Sequence, residues 1–180
     1  EATEIHIKIE MDGDGVFISV ADNGCGMDEE TLLRGMQYGG KGADNPKRLG
    51  KFGLGLKTAS TAFCRKLSVV TRDSVDSKIL KATWDLDHVV SVGEWELLLG
   101  GTTKFELDIL EETAPDSSGT LVTWDDIDRV LKDYVDPTGR PARDSLERKV
   151  NEFRDHAAMT FQRFLDPEDK RAPNIRMTLN

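Results

Sequence analysis

Cysteine is scarce in this sequence: two in 180 residues, Cys25 and Cys64, far apart. Two thiols are too few for a disulfide framework or a tetrahedral zinc site, so a small stapled secreted scaffold is excluded and a reducing cytosol suits the chain. Long hydrophobic runs are absent too. None approaches the ~18 apolar residues a membrane-crossing helix needs, and the opening EATEIHIKIE is neither basic nor apolar enough for a signal peptide. The expectation is a cytoplasmic protein with no membrane partner. Positive charge is the minority sign, with 24 Lys and Arg against 33 Asp and Glu and a net charge of −9. Coating nucleic acid with the whole surface requires a dense Lys/Arg face, which this composition does not supply, although a local basic patch is still allowed. Aromatics make up 7%, and Trp84, Trp95 and Trp124 are scattered without interleaved basic residues, so no base-stacking platform is indicated.

What is present is the patterning of one ordinary globular domain, 38% hydrophobic and 32% charged, long enough to bury a substantial core. Ile5, Ile7 and Ile9 alternate with His6, Lys8 and Glu10, and after the turn DGDG the alternation resumes at Val16, Ile18 and Val20, which predicts a hairpin. His6 falls on the outward face of that strand. Asp28 is placed to cap a helix running to about Tyr38, with Glu29 and Glu30 in its first turn. A glycine-rich, lysine-bearing loop follows over 39–55, and LGLKTASTAF reads as a helix leaving it. Strand-like runs recur at 66–71, 78–86, 95–99, 104–109 and 120–124. A helix is expected over 145–165, with Asp144 and Glu147 as a capping box and Phe153, Phe161 and Phe164 in its core stripe. NIRMTLN ends the chain as another alternating stretch. Hairpins outnumber β-α-β alternation, so the fold class is α+β, a mostly antiparallel mixed sheet covered by helices.

Two glycine-rich elements carry the chemistry. In GKFGLGL, Gly50, Gly53 and Gly55 let the backbone approach a ligand closely, the following helix offers free N–H groups, and Lys41, Lys47, Arg48, Lys51 and Lys57 supply counter-charge. That combination suits phosphate. It is neither a P-loop nor the G-x-G-x-x-G dinucleotide fingerprint. In VADNGCGM, Asp22 closes a strand, where a carboxylate can accept a hydrogen bond from an exocyclic amino group. Gly24 and Gly26 would keep the backbone low beneath a flat base, with Met27 as an apolar wall. Cys25 reads as a small residue filling space. D-N-G-x-G is also a good turn sequence in its own right.

DNGCGM at 22–27, GKFGLGL at 50–56 and SGTLVTW at 118–124, in this order, resemble the D-x-G-x-G, G-x-x-G-x-G and G-T boxes of the GHKL ATPase superfamily. That superfamily comprises the DNA gyrase ATPase subunit, the MutL mismatch-repair proteins, the heat-shock-90 chaperones and the histidine kinases. The stretch linking the first two boxes is most similar to the MORC-like and related bacterial members.

The resemblance implies the Bergerat fold, a two-layer α/β sandwich, and ATP with Mg2+ as ligands. It implies that Asp22 binds the adenine amino group, with Thr120 helping through a shared water, and that Gly24, Gly26 and Met27 line the base. Lys41 through Arg48 would form a lid, Gly50, Lys51, Phe52, Gly53, Leu54, Gly55 and Leu56 would cradle the phosphates, and Lys57 would stand just beyond. The family's helix carrying a catalytic glutamate and a magnesium-binding asparagine is expected upstream of Glu1, so no catalytic or metal-binding residue is assigned within the chain. The domain expectation is one ATP-binding domain over 1–180, with residues from about 172 starting a transducer-like second domain. The function implied is coupling of Mg-ATP binding and hydrolysis to conformational change and homodimerisation, with DNA or a protein client engaged through other domains. A histidine-kinase phosphotransferase domain and a non-catalytic nucleotide-binding module are the alternatives. The length of chain after the G-T box favours the ATPase over the kinase.

Overall fold

The computed structural model describes residues 2–13, 15–37, 55–127 and 129–180. The hairpin forms as the alternation predicts, β1 (Glu4–Asp12) and β2 (Gly15–Asp22) pairing antiparallel with Ile5 opposite Asp22. They join β3 (Lys66–Arg72), β4 (Leu80–Asp85), β5 (Leu98–Leu99), β6 (Gly119–Asp125) and β7 (Arg176–Leu179) in one seven-stranded sheet of order β5-β4-β3-β6-β2-β1-β7. Every neighbouring pair is antiparallel except β1 and β7. The expected run at 95–99 contributes only the two residues of β5.

Successive side chains of a strand point to opposite faces, and the apolar residues divide accordingly into two clusters. One holds Val16, Leu67, Val69, Ala82 and Trp84 under α1 (Glu29–Met36) and the first half of α5 (Arg140–Thr160). Leu32 and Met36 bring α1 down onto the sheet, and Ala142, Leu146 and Val150 do the same for α5. Burial of an apolar side chain of this size is worth about 1.5–3 kcal/mol. The second cluster holds Phe17, Ala21, Val70 and Leu121 on the opposite face, under Ile109 and Leu110 of α4 (Lys104–Thr113). Helices therefore stand on both faces of this α+β sheet. The remaining helices are short: α2 (Gly55–Thr61), α3 (Leu86–Val92) and α6 (Gln162–Leu165).

Two sequence expectations give way. KFELDI forms the first part of helix α4 rather than a strand. Thr103 caps it by accepting from the Glu106 N–H while Glu106 reaches back to the Thr103 N–H, a complete capping box. A period-2 reading of six residues missed the T-x-x-E signal standing just in front of them. The long helix begins at Arg140 rather than beyond Asp144, with Gly139 as cap and proline in its first turn. Its core stripe also ends early, because Phe153 is 39% exposed and only Ala157 is buried beyond Val150.

Candidate functional site

Asp22 is the last residue of β2, and the sheet register fixes what lies beside it. Ile5, Asp22, Thr120, Thr71 and Leu80 occupy one rung across β1, β2, β6, β3 and β4. By alternation, Asp22, Thr120 and Thr71 share the face of Ile18, Val122 and Val69, which is the face covered by α1. Directly opposed residues of an antiparallel pair hold their Cβ atoms about 5 Å apart, so a carboxylate and two hydroxyls form a short polar row on an otherwise apolar surface.

Thr71 is fully buried and stands at the centre of the hydrogen bonding. Its Oγ1 accepts from the Met27 N–H at 2.9 Å, donates to the Gly119 carbonyl at 3.0 Å, and lies 3.2 Å from Thr120 Oγ1. The 22–27 loop and the G-T box are thus held on β3 through one side chain. Asp22 is half-buried. Its carboxylate accepts the Gly24 N–H at 2.8 Å, and removal from water pushes its pKa up despite that bond. Asn23 ties the same loop to β1, its Oδ1 accepting from the N–H groups of Thr3 and Glu4, each at 2.9 Å.

Gly26 has φ +60°, and a Cβ there would fall 1.8 Å from the Arg72 carbonyl oxygen. The glycine is needed for packing one chain segment against another, the loop lying directly on the end of β3. A Cβ on Gly119 would stand 2.6 Å from the Asp22 carbonyl oxygen and 2.7 Å from Ala114 Cβ, so the glycine of the G-T box is likewise dictated by contact with β2 and α4.

Arg72 secures the turn that leads into β6. Its guanidinium donates to the carbonyls of Ser117 at 2.5 Å and Ala114 at 2.8 Å, and forks onto Glu111 at 2.6 and 3.2 Å. The Ser118 hydroxyl adds a bond to the Gly24 carbonyl at 2.7 Å. Arg72→Ala is expected to lower stability by about 2–4 kcal/mol, since two carbonyls lose their donor and a charged fork is lost. The arginine's hydrogen bonds hold the Glu111 carboxyl below its usual range. A depressed carboxylate pKa stabilises the fold above the ordinary carboxylate range and ceases to do so as pH falls through the depressed value. Denaturant melts from neutral to acidic pH should therefore show a stability difference between wild type and variant that narrows on acidification. A difference that stays constant would remove the Glu111 contribution.

The elements flanking the loop are docked by indole N–H groups. Trp124 Nε1 donates to Ser60 Oγ at 2.6 Å, seating α2 on the sheet, and Trp84 Nε1 donates to the Met36 carbonyl at 2.9 Å, closing the end of α1. These two tryptophans are consequently structural, and Trp84 meets the exposed Trp95 edge to face at 5.6 Å.

Of the expected site residues, the register brings Asp22 and Thr120 together, with Gly24, Gly26 and Met27 on the adjoining loop. Gly55 begins α2, where Leu56 is 39% exposed. Lys41, Gly50, Lys51, Phe52, Gly53 and Leu54, and the side chain of Lys57, lie outside the described residues. Cys25 is exposed rather than filling space. His6 does not stand free on the surface, because its Nδ1 lies 3.1 Å from Thr113 Oγ1 beneath α4. Sequence reasoning missed Thr71 and Asn23. The signal for Thr71 was its place as the polar member of the Leu67, Val69, Thr71 alternation.

A groove of ≈ 730 Å³ beside α1, lined by Leu33, Arg34, Trp84, Trp95 and Leu97 among others, and a polar cavity of ≈ 570 Å³ lined by Lys81, Glu106 and Asp125 among others, are both formed without Asp22. Among the described residues, no group of three or more His, Cys, Asp or Glu is placed to hold a metal ion, and no helix is long and apolar enough to cross a membrane.

A family model described as histidine kinase-, DNA gyrase B- and HSP90-like ATPase matches residues 1–120, ending on Thr120 of the polar rung. The chain is 21% identical over 178 residues to the chaperone protein HtpG of Idiomarina loihiensis, an alignment covering 92% of this chain and 24% of that protein. It is 25% identical over 172 residues to the chaperone protein HtpG of Psychrobacter arcticus, covering 88% of this chain and 23% of that protein. The chain spans about a quarter of the length of these curated relatives.

Proposed function

The chain belongs to the family of histidine kinase-, DNA gyrase B- and HSP90-like ATPases, and from that premise we propose that it binds ATP with the adenine against the Asp22–Thr120 rung. The observation that carries this reading is the half-buried Asp22 carboxylate at a strand end, with a threonine hydroxyl beside it in register and a glycine loop folded around it. An ionised carboxylate only accepts hydrogen bonds, which suits an exocyclic amino group. Met27 supplies an apolar wall, and Gly24 and Gly26 shape the loop at the edge of the base.

The phosphates run toward Gly50, Lys51, Phe52, Gly53, Leu54, Gly55 and Leu56, with Lys41 and Lys57 as counter-charges and the stretch 41–48 as a lid. Magnesium, when bound with the nucleotide, supplies further neutralisation of the triphosphate. The part proposed for this chain is to bind and orient the nucleotide. In the whole protein, binding and hydrolysis drive a conformational change and homodimerisation, in the cytoplasm. Similarity to the chaperones extends beyond the G-T box, which supports an ATPase over a phosphotransferase.

Calorimetric titration of the intact protein with Mg-ATP tests the reading. Saturable binding is expected, together with a shift toward dimer in sedimentation when a non-hydrolysable ATP analogue is present. A flat titration would overturn it.

A further inference from the structure

Asp22 and Thr120 account for the two polar groups facing the base, but nothing so far fixes which way the Thr120 hydroxyl points. We infer that Thr71 sets the hydrogen-bond polarity of the pocket, and with it the preference for a 6-amino over a 6-oxo purine. The inference rests on the adenine reading above.

A hydroxyl has one proton and two lone pairs. At Thr71, one lone pair takes the Met27 N–H at 2.9 Å, and the proton goes to the Gly119 carbonyl at 3.0 Å, the shorter of its two contacts with an acceptor oxygen. What remains for Thr120 Oγ1, at 3.2 Å, is a lone pair, so the Thr120 hydroxyl is the donor in that contact. Thr71 has no exposed surface, and no competing water reaches it to reverse the arrangement. With its proton spent on Thr71, Thr120 turns only lone pairs toward the ligand.

The pocket then offers two acceptors side by side, the Asp22 carboxylate and the Thr120 oxygen. A water shared between Thr120 and the base gives one proton to Thr120 and points its other proton at the ring. Adenine answers that pattern at both positions, with an amino donor for Asp22 and an unprotonated ring nitrogen for the water. A 6-oxo purine answers neither, since it sets a carbonyl oxygen against the carboxylate and an N–H against the water proton. A site whose polar groups are left unmatched discriminates far more strongly than an apolar wall can. Thr71 touches no ligand in this scheme. It is a positioning residue that determines specificity through Thr120.

The test compares ATP with inosine triphosphate, which differs at the 6-position and the adjoining ring proton. Affinities of wild type, Thr71→Ser and Thr71→Val are measured by calorimetry on the intact protein, with thermal melts as the folding control. Wild type and Thr71→Ser are expected to share a strong ATP preference. Thr71→Val is expected to lose about tenfold of the ATP-to-ITP ratio, because Thr120 is then free to donate. If Thr71→Val does not fold, Thr71→Cys keeps a weak hydrogen-bonding group there and should lose part of the ratio while Thr71→Ser keeps it. An unchanged ratio in the valine or cysteine variant, or equal weakening toward both nucleotides, overturns the specificity role even if ATP binds. Wild type that binds neither nucleotide overturns the adenine reading itself, and this inference with it.

Discussion

Asp22→Asn is expected to weaken Mg-ATP binding by about 2–3 kcal/mol, roughly 30- to 150-fold, while leaving the fold as stable as wild type or slightly more so. The loss follows from replacing a charged acceptor with a neutral amide, since hydrogen bonds to charged groups contribute about 1.5–3 kcal/mol. If the amide turns its N–H2 toward the base, two donors meet. The stability half of the result follows from burial. Asp22 has its pKa raised, chiefly by desolvation. A carboxyl with a raised pKa takes up its proton more readily folded than unfolded, so the ionised group opposes folding at neutral pH and this cost shrinks as pH falls toward the raised value. Asparagine is neutral throughout and can still accept the Gly24 N–H bond now made by Oδ1. Calorimetry and a thermal melt on the same sample check both halves. Unchanged affinity would remove Asp22 from the base site, and a collapse in melting temperature would make its role structural. Wild-type affinity should also decline on acidification before ordinary exposed carboxylates titrate, and the asparagine variant should lack that decline.

Gly26→Ala is expected to cost about 2–5 kcal/mol of stability and to abolish nucleotide binding. Placing an L-residue at positive φ costs roughly 1–2 kcal/mol, and overpacking adds about 1–3 kcal/mol. The overpacking here is severe, because the new methyl would lie 1.8 Å from the Arg72 carbonyl oxygen and 3.1 Å from the Asp73 Cα. Either the 22–27 loop lifts off β3, breaking the Met27–Thr71 bond, or β3 moves and disturbs the rung. Gly13 provides the control. Its φ is +58°, and a Cβ there would meet nothing within 4 Å, so Gly13→Ala isolates the conformational part at about 1–2 kcal/mol. Denaturant unfolding of the two variants separates the contributions. Equal losses would mean the close approach to Arg72 is not what demands glycine at position 26.

The sheet was legible wherever strands are long and half-buried. Ile5, Ile7 and Ile9, and Val16, Ile18 and Val20, announce their period and pair as it predicts, while KLSVVT, buried on both faces, is marked by its β-branched run rather than by alternation. Reading failed where a short window admits two periods. KFELDI alternates well enough for a strand, yet Phe105, Ile109 and Thr113 step by four and a capping box precedes them. The stripe of α5 was overextended because helical spacing reports which residues share a face, not whether anything covers it. The D-x-G-x-G loop was legible as a glycine turn at a strand end, but what demands its glycines was not. Gly26 makes room for the Arg72 carbonyl, and Gly119 of the G-T box for the Asp22 carbonyl, and both approaches exist only once β2, β3 and β6 are side by side. Thr71 escaped notice for the same cause: its three partners come from the 22–27 loop and from β6, both distant in sequence, and no local pattern encodes their meeting.

The pairing of β7 with β1 bears on how this fold would carry load. The two strands run parallel, Met177 sits opposite Ile5, and Ile5 sits opposite Asp22. Asn180 clamps the far end, its N–H donating to the Ile7 carbonyl at 2.9 Å and its side chain engaging both the N–H and the carbonyl of Ile9. Tension drawn along the chain at Asn180 would act lengthwise on this ladder and stress its rungs together in shear, rather than peeling them apart one at a time. The strand receiving that tension is the one against which Asp22 is registered. Sheet edge and Asp22 rung are therefore mechanically coupled: sliding β1 against β2 displaces the carboxylate, and under the proposed function a nucleotide bound there would resist the slide.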